Sequence, residues 1–139
     1  MAYLLDTCTV SELGKPRPDR KVRDALLALP REELHMSAIT LGEIEYGIRL
    51  RPESAERSRL TEWLNVSVLA VFGERIVPVD SFVALCWGQL IAELKQRGMK
   101  MQLQDSLIAA SAREFHLIIV TRNESDFAHA GVQVYNPWK

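Results

Sequence analysis

Apolar side chains along the chain come in two rhythms: short continuous runs, and longer stretches in which they recur one helical turn apart. The run "AYLL" (2–5) predicts a buried strand. "DRKVRDALLALP" (19–30) puts Val22, Leu26 and Leu29 on one face and predicts a helix that stops at Pro30. "ELHMSAI" (33–39) predicts a second strand, and "TLGEIEYGIRL" (40–50) a helix with Leu41, Ile44 and Ile48 in register. From Glu53 to Val71 the spacing of Leu60, Leu64 and Val68 predicts another helix. "RIVPVD" (75–80) is a short strand whose Pro78 suits an edge or terminal position. "SFVALCWGQLIAELKQRG" (81–98) predicts a long helix ending at Gly98, and "DSLIAASAREF" (105–115) a further one. "LIIVT" (117–121), rich in β-branched residues, and "VQVY" (132–135) complete the strands.

Strands alternating with helices predict an α/β fold, a parallel sheet covered on both faces, because parallel neighbours must be joined by crossovers. The 139 residues are about enough for one domain spanning 1–139. With 47% hydrophobic and 25% charged residues, the composition is that of a globular protein and excludes fibrous and disordered classes. No apolar run approaches the roughly 18 residues needed to cross a bilayer, and "MAYLLDTC" lacks a basic leader, so no membrane association and a cytoplasmic location are expected. Cys8 and Cys86, far apart and without a zinc-like spacing, read as reduced thiols. A net charge of −1 argues against broad electrostatic binding of nucleic acid, though not against a local basic rim.

Open parallel sheets bind ligands beyond the carboxyl ends of their strands. Asp6 follows the first strand, Glu43 the second, Asn123 and Asp126 follow "LIIVT", and Asp105 opens the helix leading into it. Each has a structural alternative. Asp6 is a possible helix cap, with Thr9 and Glu12 in a T-x-x-E box; Thr40 and Glu43 form a second such box; Asp105 and Asp126 suit N-cap positions. Yet capping is served equally by Ser, Thr or Asn, whereas acids recur here. Converging carboxylates repel unless a proton or cation lies between them, and Mg²⁺ or Mn²⁺ favours such oxygen ligands. The cluster points to metal-assisted phosphoryl chemistry, that of a hydrolytic nuclease.

The same residues resemble the PIN domain ribonucleases, in particular the VapC and FitB-type toxins of toxin–antitoxin pairs. The resemblance spans nearly the whole chain: "LLDTCTVSEL", "SAITLGEIEYGI", "LQDSLIAASA", "VTRNESDF" and "VYNPW" look like that family's successive motifs, in order. It implies a three-layer α/β/α sandwich with a central, mostly parallel sheet, and a metal-dependent endoribonuclease. Asp6, Glu43 and Asp105 would hold one or two Mg²⁺ or Mn²⁺ ions, with Asp126 favoured as the fourth acid and Asn123 in support. Cys8 departs from the family, where Asn is common at that position, and this puts a supporting hydrogen bond in question. The resemblance also implies a cognate antitoxin, an RNA substrate, a homodimer, and a toxin–antitoxin hetero-oligomer that binds operator DNA through the antitoxin. The antitoxin tail would offer an arginine to the acids and lay a helix along Leu41–Leu50 and Leu60–Val71.

Thr121 and Arg122 suit contact with a scissile phosphate. The basic stretches 15–23 and 49–59 read as solvated faces before they read as an RNA path. Trp63, Trp87 and Trp138 read as core or dimer contacts, and no spacing supports pairing Cys8 with His35, His116 or His129. Two other classes compete. "LLDT" is faintly similar to the opening of haloacid-dehalogenase-like phosphatases, but Cys8 stands where those need a second Asp. A catalytically inactive binding module would use the acids only as caps.

Overall fold

A computed structural model describes residues Met1 to Lys139. Its strands are β1 Tyr3–Leu5, β2 Leu34–Ser37, β3 Ile76–Val77, β4 Ile118–Val120 and β5 Val134–Tyr135. They lie in the order β3-β2-β1-β4-β5, and every neighbouring pair is parallel. Leu5 stands opposite Met36 and Val120, and Leu4 opposite His35 and Ile119. Because side chains alternate along a strand, this register sends the two sets to opposite faces.

On one face Leu5, Met36 and Val120 join a core built by the helices α1 Thr7–Leu13, α2 Arg20–Leu27, α3 Ala38–Arg49 and a long segment covering 55–72. On the other, Leu4 and Ile119 meet α6 Ser81–Gln96 and α7 Leu103–Phe115 through Leu90, Leu94, Ile108 and Ala112. The result is the expected α/β/α sandwich. Its sheet is wholly parallel, since no two strands are joined by a tight hairpin. No helix is long and apolar enough to cross a membrane.

The long segment consists of α4 Ala55–Glu62, a π turn over Trp63–Val68 and α5 Leu69–Phe72. The anticipated stripe does point inward: Leu64 and Val68 are buried and Leu60 packs beside them. β3 is an edge strand with Pro78 just beyond its end, where a missing N–H breaks no ladder.

Four local expectations fail. Asp126 is no N-cap: it is the third residue of the short turn Glu124–Phe127, whose cap position is Asn123. Helix α1 was not predicted from the apolar pattern, because "TCTVSEL" has too few apolar positions to show a period. Asp6 caps it, so neither Thr9 nor Glu12 serves as a box: the Thr9 hydroxyl donates to the Val120 carbonyl at 2.7 Å, and Glu12 accepts from Lys15 and the Asp19 N–H. Helix α3 starts two residues before Thr40, at Ala38, with Ser37 as cap through a 3.0 Å bond from the Ile39 N–H. Thr40 is therefore an interior, buried residue, and the Thr40–Glu43 box does not form. Asp105 is the third residue of α7, whose cap position is Gln102, so its carboxylate is not spent on capping.

Gly14 ends α1 against the Trp63 ring, and a Cβ there would lie 2.7 Å from two ring carbons. A rigid indole cannot yield cheaply. Gly14→Ala should cost about 1–3 kcal/mol, the range for overpacking, and lower the melting temperature measured by circular dichroism. Combining it with Trp63→Leu should recover part of the loss, since the two changes share one contact.

Candidate active site

The chain adds β2 and β3 to one side of β1, then crosses to place β4 and β5 on the other. The switch falls between β1 and β4, and a crevice opens at the carboxyl ends of two such strands. Asp6 and Thr121 are the first residues beyond them. The Asp6 N–H donates to the Val120 carbonyl at 3.0 Å, so the two strand ends are joined at the backbone.

Asp6 is 5% exposed. Its Oδ1 accepts the Thr7 N–H at 2.8 Å, and its Oδ2 accepts the Thr121 hydroxyl at 2.8 Å and the Cys8 thiol at 3.5 Å. Charge-assisted bonds of this kind hold a buried carboxylate in one orientation. Thr121 is fully buried and its Oγ1 also accepts the Asn123 N–H, so it acts through Asp6 and does not itself face solvent. Thr7 carries the connection further: its hydroxyl donates to Glu43 Oε1 at 2.7 Å and lies 3.0 Å from the Thr40 hydroxyl. Thr7 and Thr40 were not singled out from the sequence. The available signal was the hydroxyl immediately after Asp6.

Asp105 is half-buried and Asp126 exposed, and both line one cleft; Glu43, half-buried, lines a second cleft together with Thr7. Asp105 feels all of its neighbours. Burial, and then the charges of Asp6, Asp126 and Glu43, push its carboxyl up to about 6. The four acids thus share one field. No three His, Cys, Asp or Glu side chains stand close enough together to hold a metal ion between them, and Glu43 borders a different cleft from Asp105 and Asp126. An ion such as Mg²⁺, which keeps several waters, takes only one or two carboxylates from a protein.

Asn123 is exposed and precedes the short helical turn Glu124–Phe127 that carries Asp126. Arg122 is exposed, with its guanidinium 5.7 Å from the Trp138 ring. Trp138 packs at the edge of the core beneath α1–α5, Trp63 packs on Gly14, and the Trp87 indole N–H donates to Ser106 at 2.9 Å. All three tryptophans have intramolecular partners. The Cys8 thiol contacts Asp6, Thr9 and Thr121 and no histidine. Burial first, and then the Asp6 charge, raise its pKa, so it stays a thiol that donates to Asp6. Both cysteines are free.

With a parallel sheet, an acidic crevice at its switch point and acids from four separate segments, the chain belongs to the PIN domain family, whose family model matches residues 3–133. Within that family it is 36% identical over 135 residues to toxin FitB of Neisseria gonorrhoeae, covering 97% of each chain. It is 34% identical over 136 residues to VapC ribonuclease Y4jK of Sinorhizobium fredii, covering 98% of this chain and 97% of that one. A solved structure of FitAB bound to an IR36 DNA fragment superimposes with a TM-score of 0.91 at 34% identity, over 99% of this chain and 96% of that one.

A carboxyl whose folded pKa is about 6 takes up a proton on folding between that value and its ordinary 3.8. The stability of the metal-free protein should therefore rise as pH falls through this window, and ionised Asp105 should destabilise it above about pH 6. Asp105→Asn should raise the metal-free melting temperature at pH 7.5 and remove this component of the pH dependence. A variant that melts lower than the parent at pH 7.5 would contradict the shared field.

Proposed function

We propose that the chain is a divalent-metal-dependent endoribonuclease and the toxin of a toxin–antitoxin pair. The observation that carries this reading is the placement of four acids around the sheet's switch point: Asp105 and Asp126 line one cleft, and Thr7, whose N–H bonds Asp6 and whose hydroxyl bonds Glu43, joins the other two. The donor set is all oxygen, which fits Mg²⁺ or Mn²⁺. Asp6, Glu43, Asp105 and Asp126 would hold the cation, with Asn123 in support. When bound, it supplies neutralisation of phosphate charge and acidification of the attacking water.

The chain's own residues do the rest. Thr121 and Thr7 fix the Asp6 and Glu43 carboxylates, so that they need not reorganise when a phosphodiester arrives. Asp105 must be ionised to bind a cation, and its raised pKa sets an acid limit to activity near pH 6, which moves lower as metal competes with the proton. The names of the relatives, a toxin and a ribonuclease, agree with this chemistry.

A free ribonuclease needs restraint, and the DNA-bound FitAB complex supports a small antitoxin partner, with operator DNA reached through it. Ile44, Ile48, Leu64 and Val68 belong to the core, which leaves Tyr46, Leu50, Val66, Leu69 and Val71 as the exposed apolar surface for a partner helix. An arginine from that partner would occupy the acidic crevice by bidentate pairing. A homodimer is part of the same reading.

Purified protein incubated with total RNA should cleave it with Mg²⁺ or Mn²⁺ and not with EDTA. Asp6→Asn and Asp105→Asn should each lower cleavage beyond the ~10–100-fold typical of outer-shell changes at metal sites, with the fold intact by circular dichroism. In the same assay Asp126→Asn should cost more than Asn123→Ala, since a carboxylate attracts a hard cation by charge as well as by lone pair. Cleavage retained in both Asp6→Asn and Asp105→Asn would sink the assignment.

Co-expression with the adjacent small reading frame should yield a complex that no longer cleaves RNA. If nothing co-purifies, or if the complex cleaves as fast as the free chain, the toxin reading fails.

A further inference from the structure

The cleft bordered by Asp105 and Asp126 extends away from the acids. It is about 240 Å³, and it shares Leu94, Met99, Lys100 and Met101 with a neighbouring hollow of about 410 Å³ that continues to Lys95. The two form one groove over the connection from α6 to α7. Its floor is apolar, with Leu94 buried and Met99 and Met101 half-buried. Its rim is basic: Lys95, Arg97 and Lys100 are exposed, and no acid occurs between Glu93 and Asp105. None of the three takes part in an ion pair. His129, exposed, lines the cleft beside the acids, and Arg97 donates to its carbonyl at 3.3 Å, tying the two lips together.

The groove on the other side of the acids differs. There Lys15 pairs with buried Glu12, and Arg59 pairs with Glu56 while donating to the Gly14 carbonyl. Those two cations are neutralised, and Arg51 is the one lining cation there that takes part in no ion pair, against two, Lys95 and Lys100, in the groove beside Asp105 and Asp126. In a chain of net charge −1, an unpaired basic rim leading out of an acidic crevice suits a ligand that is anionic at intervals and flat between them.

We propose that the groove from Asp126 to Lys95 seats the single-stranded RNA flanking the scissile phosphate. Lys100 and Lys95 contact successive phosphates, and His129 stacks on the base between the scissile phosphate and the one at Lys100, beside the adaptable Met99 and Met101 floor. This rests on the nuclease reading and deepens it, assigning the substrate path to the α6–α7 connection before Asp105 and to His129, just after Asp126.

Binding of a short fluorescent single-stranded oligoribonucleotide, followed by anisotropy in EDTA across a series of salt concentrations, tests it. Lys95→Ala/Lys100→Ala should weaken binding and flatten the slope of log affinity against log salt by about 1.4, at ~0.7 for each phosphate no longer neutralised. Lys100→Glu should weaken it further. His129→Ala should weaken binding roughly fivefold or more, the lower end for one stacked base, leave the salt slope unchanged, and be rescued by His129→Phe. All these side chains are exposed, so melting temperatures should match the parent.

An unchanged slope in the double variant, or His129→Phe as weak as His129→Ala, overturns the proposal. Variants that keep RNA binding but lose the small protein partner also overturn it, and assign the groove to that protein. Parent protein that binds with this salt dependence yet cleaves no RNA with either metal supports the groove and removes the nuclease. Parent protein that cleaves, with variants that bind as it does, removes the groove alone.

Discussion

The carboxylate of Asp6 is buried where two adjacent parallel strands end, and an isolated charge in that position would be prohibitively costly. It is tolerated because its oxygens accept a backbone N–H from the helix it caps, the hydroxyl of fully buried Thr121 and the Cys8 thiol. Those bonds make several features interdependent. α1 must start at Thr7, β4 must end at Val120, and Thr7 must turn its hydroxyl toward Glu43. Capping and site formation are one arrangement at Asp6, not competing readings of the same residue.

From that anchor the electrostatics follow. Some surface charges are paired locally, as in Arg49 with Glu45, Arg59 with Glu56 and Arg113 with Glu93. Such exposed pairs contribute little to stability. In the crevice the charges are of one sign: burial first, and then the charges of Asp6, Asp126 and Glu43, raise the pKa of Asp105. Uncompensated charge held by a rigid frame is stored electrostatic strain that a cation relieves, and perturbed carboxylates of this kind mark functional sites. The unpaired lysines of the α6–α7 connection lie along the same crevice, so charge of the opposite sign adjoins the acids.

Periodicity made the five strands and all but one of the longer helices legible, because burial on one face leaves a repeat of two or of about three and a half. Helix α1 escaped: with little apolar periodicity its start is set by the Asp6 cap and its packing by Gly14 against Trp63. Helix α3 was displaced for a related reason. Ser37, Thr40 and Glu43 all have capping chemistry, and only the end of β2 determines that Ser37 performs it while Thr40 turns into the interior toward Thr7. The basic lip at 95–100 was overlooked because three cations in a helix-ending segment look like any solvated terminus until a groove is seen beside them.

By itself, the sequence determined the alternation of elements, the parallel sheet they require, and the candidacy of Asp6, Glu43 and Asp126 as acids following strands and of Asp105 as an acid opening a helix. These are local properties: propensity, spacing and residue type. Tertiary structure alone decided which face each strand residue takes, that β1 and β4 are neighbours, and that Thr121 reaches Asp6 across 115 positions of chain. It also decided that Asp105, three residues into α7, is free to feel the other acids because Gln102 holds the cap position. A carboxylate's role depends on what lies within a few ångströms of it, and in a parallel sheet with long crossovers those neighbours come from distant segments whose pairing no local pattern encodes.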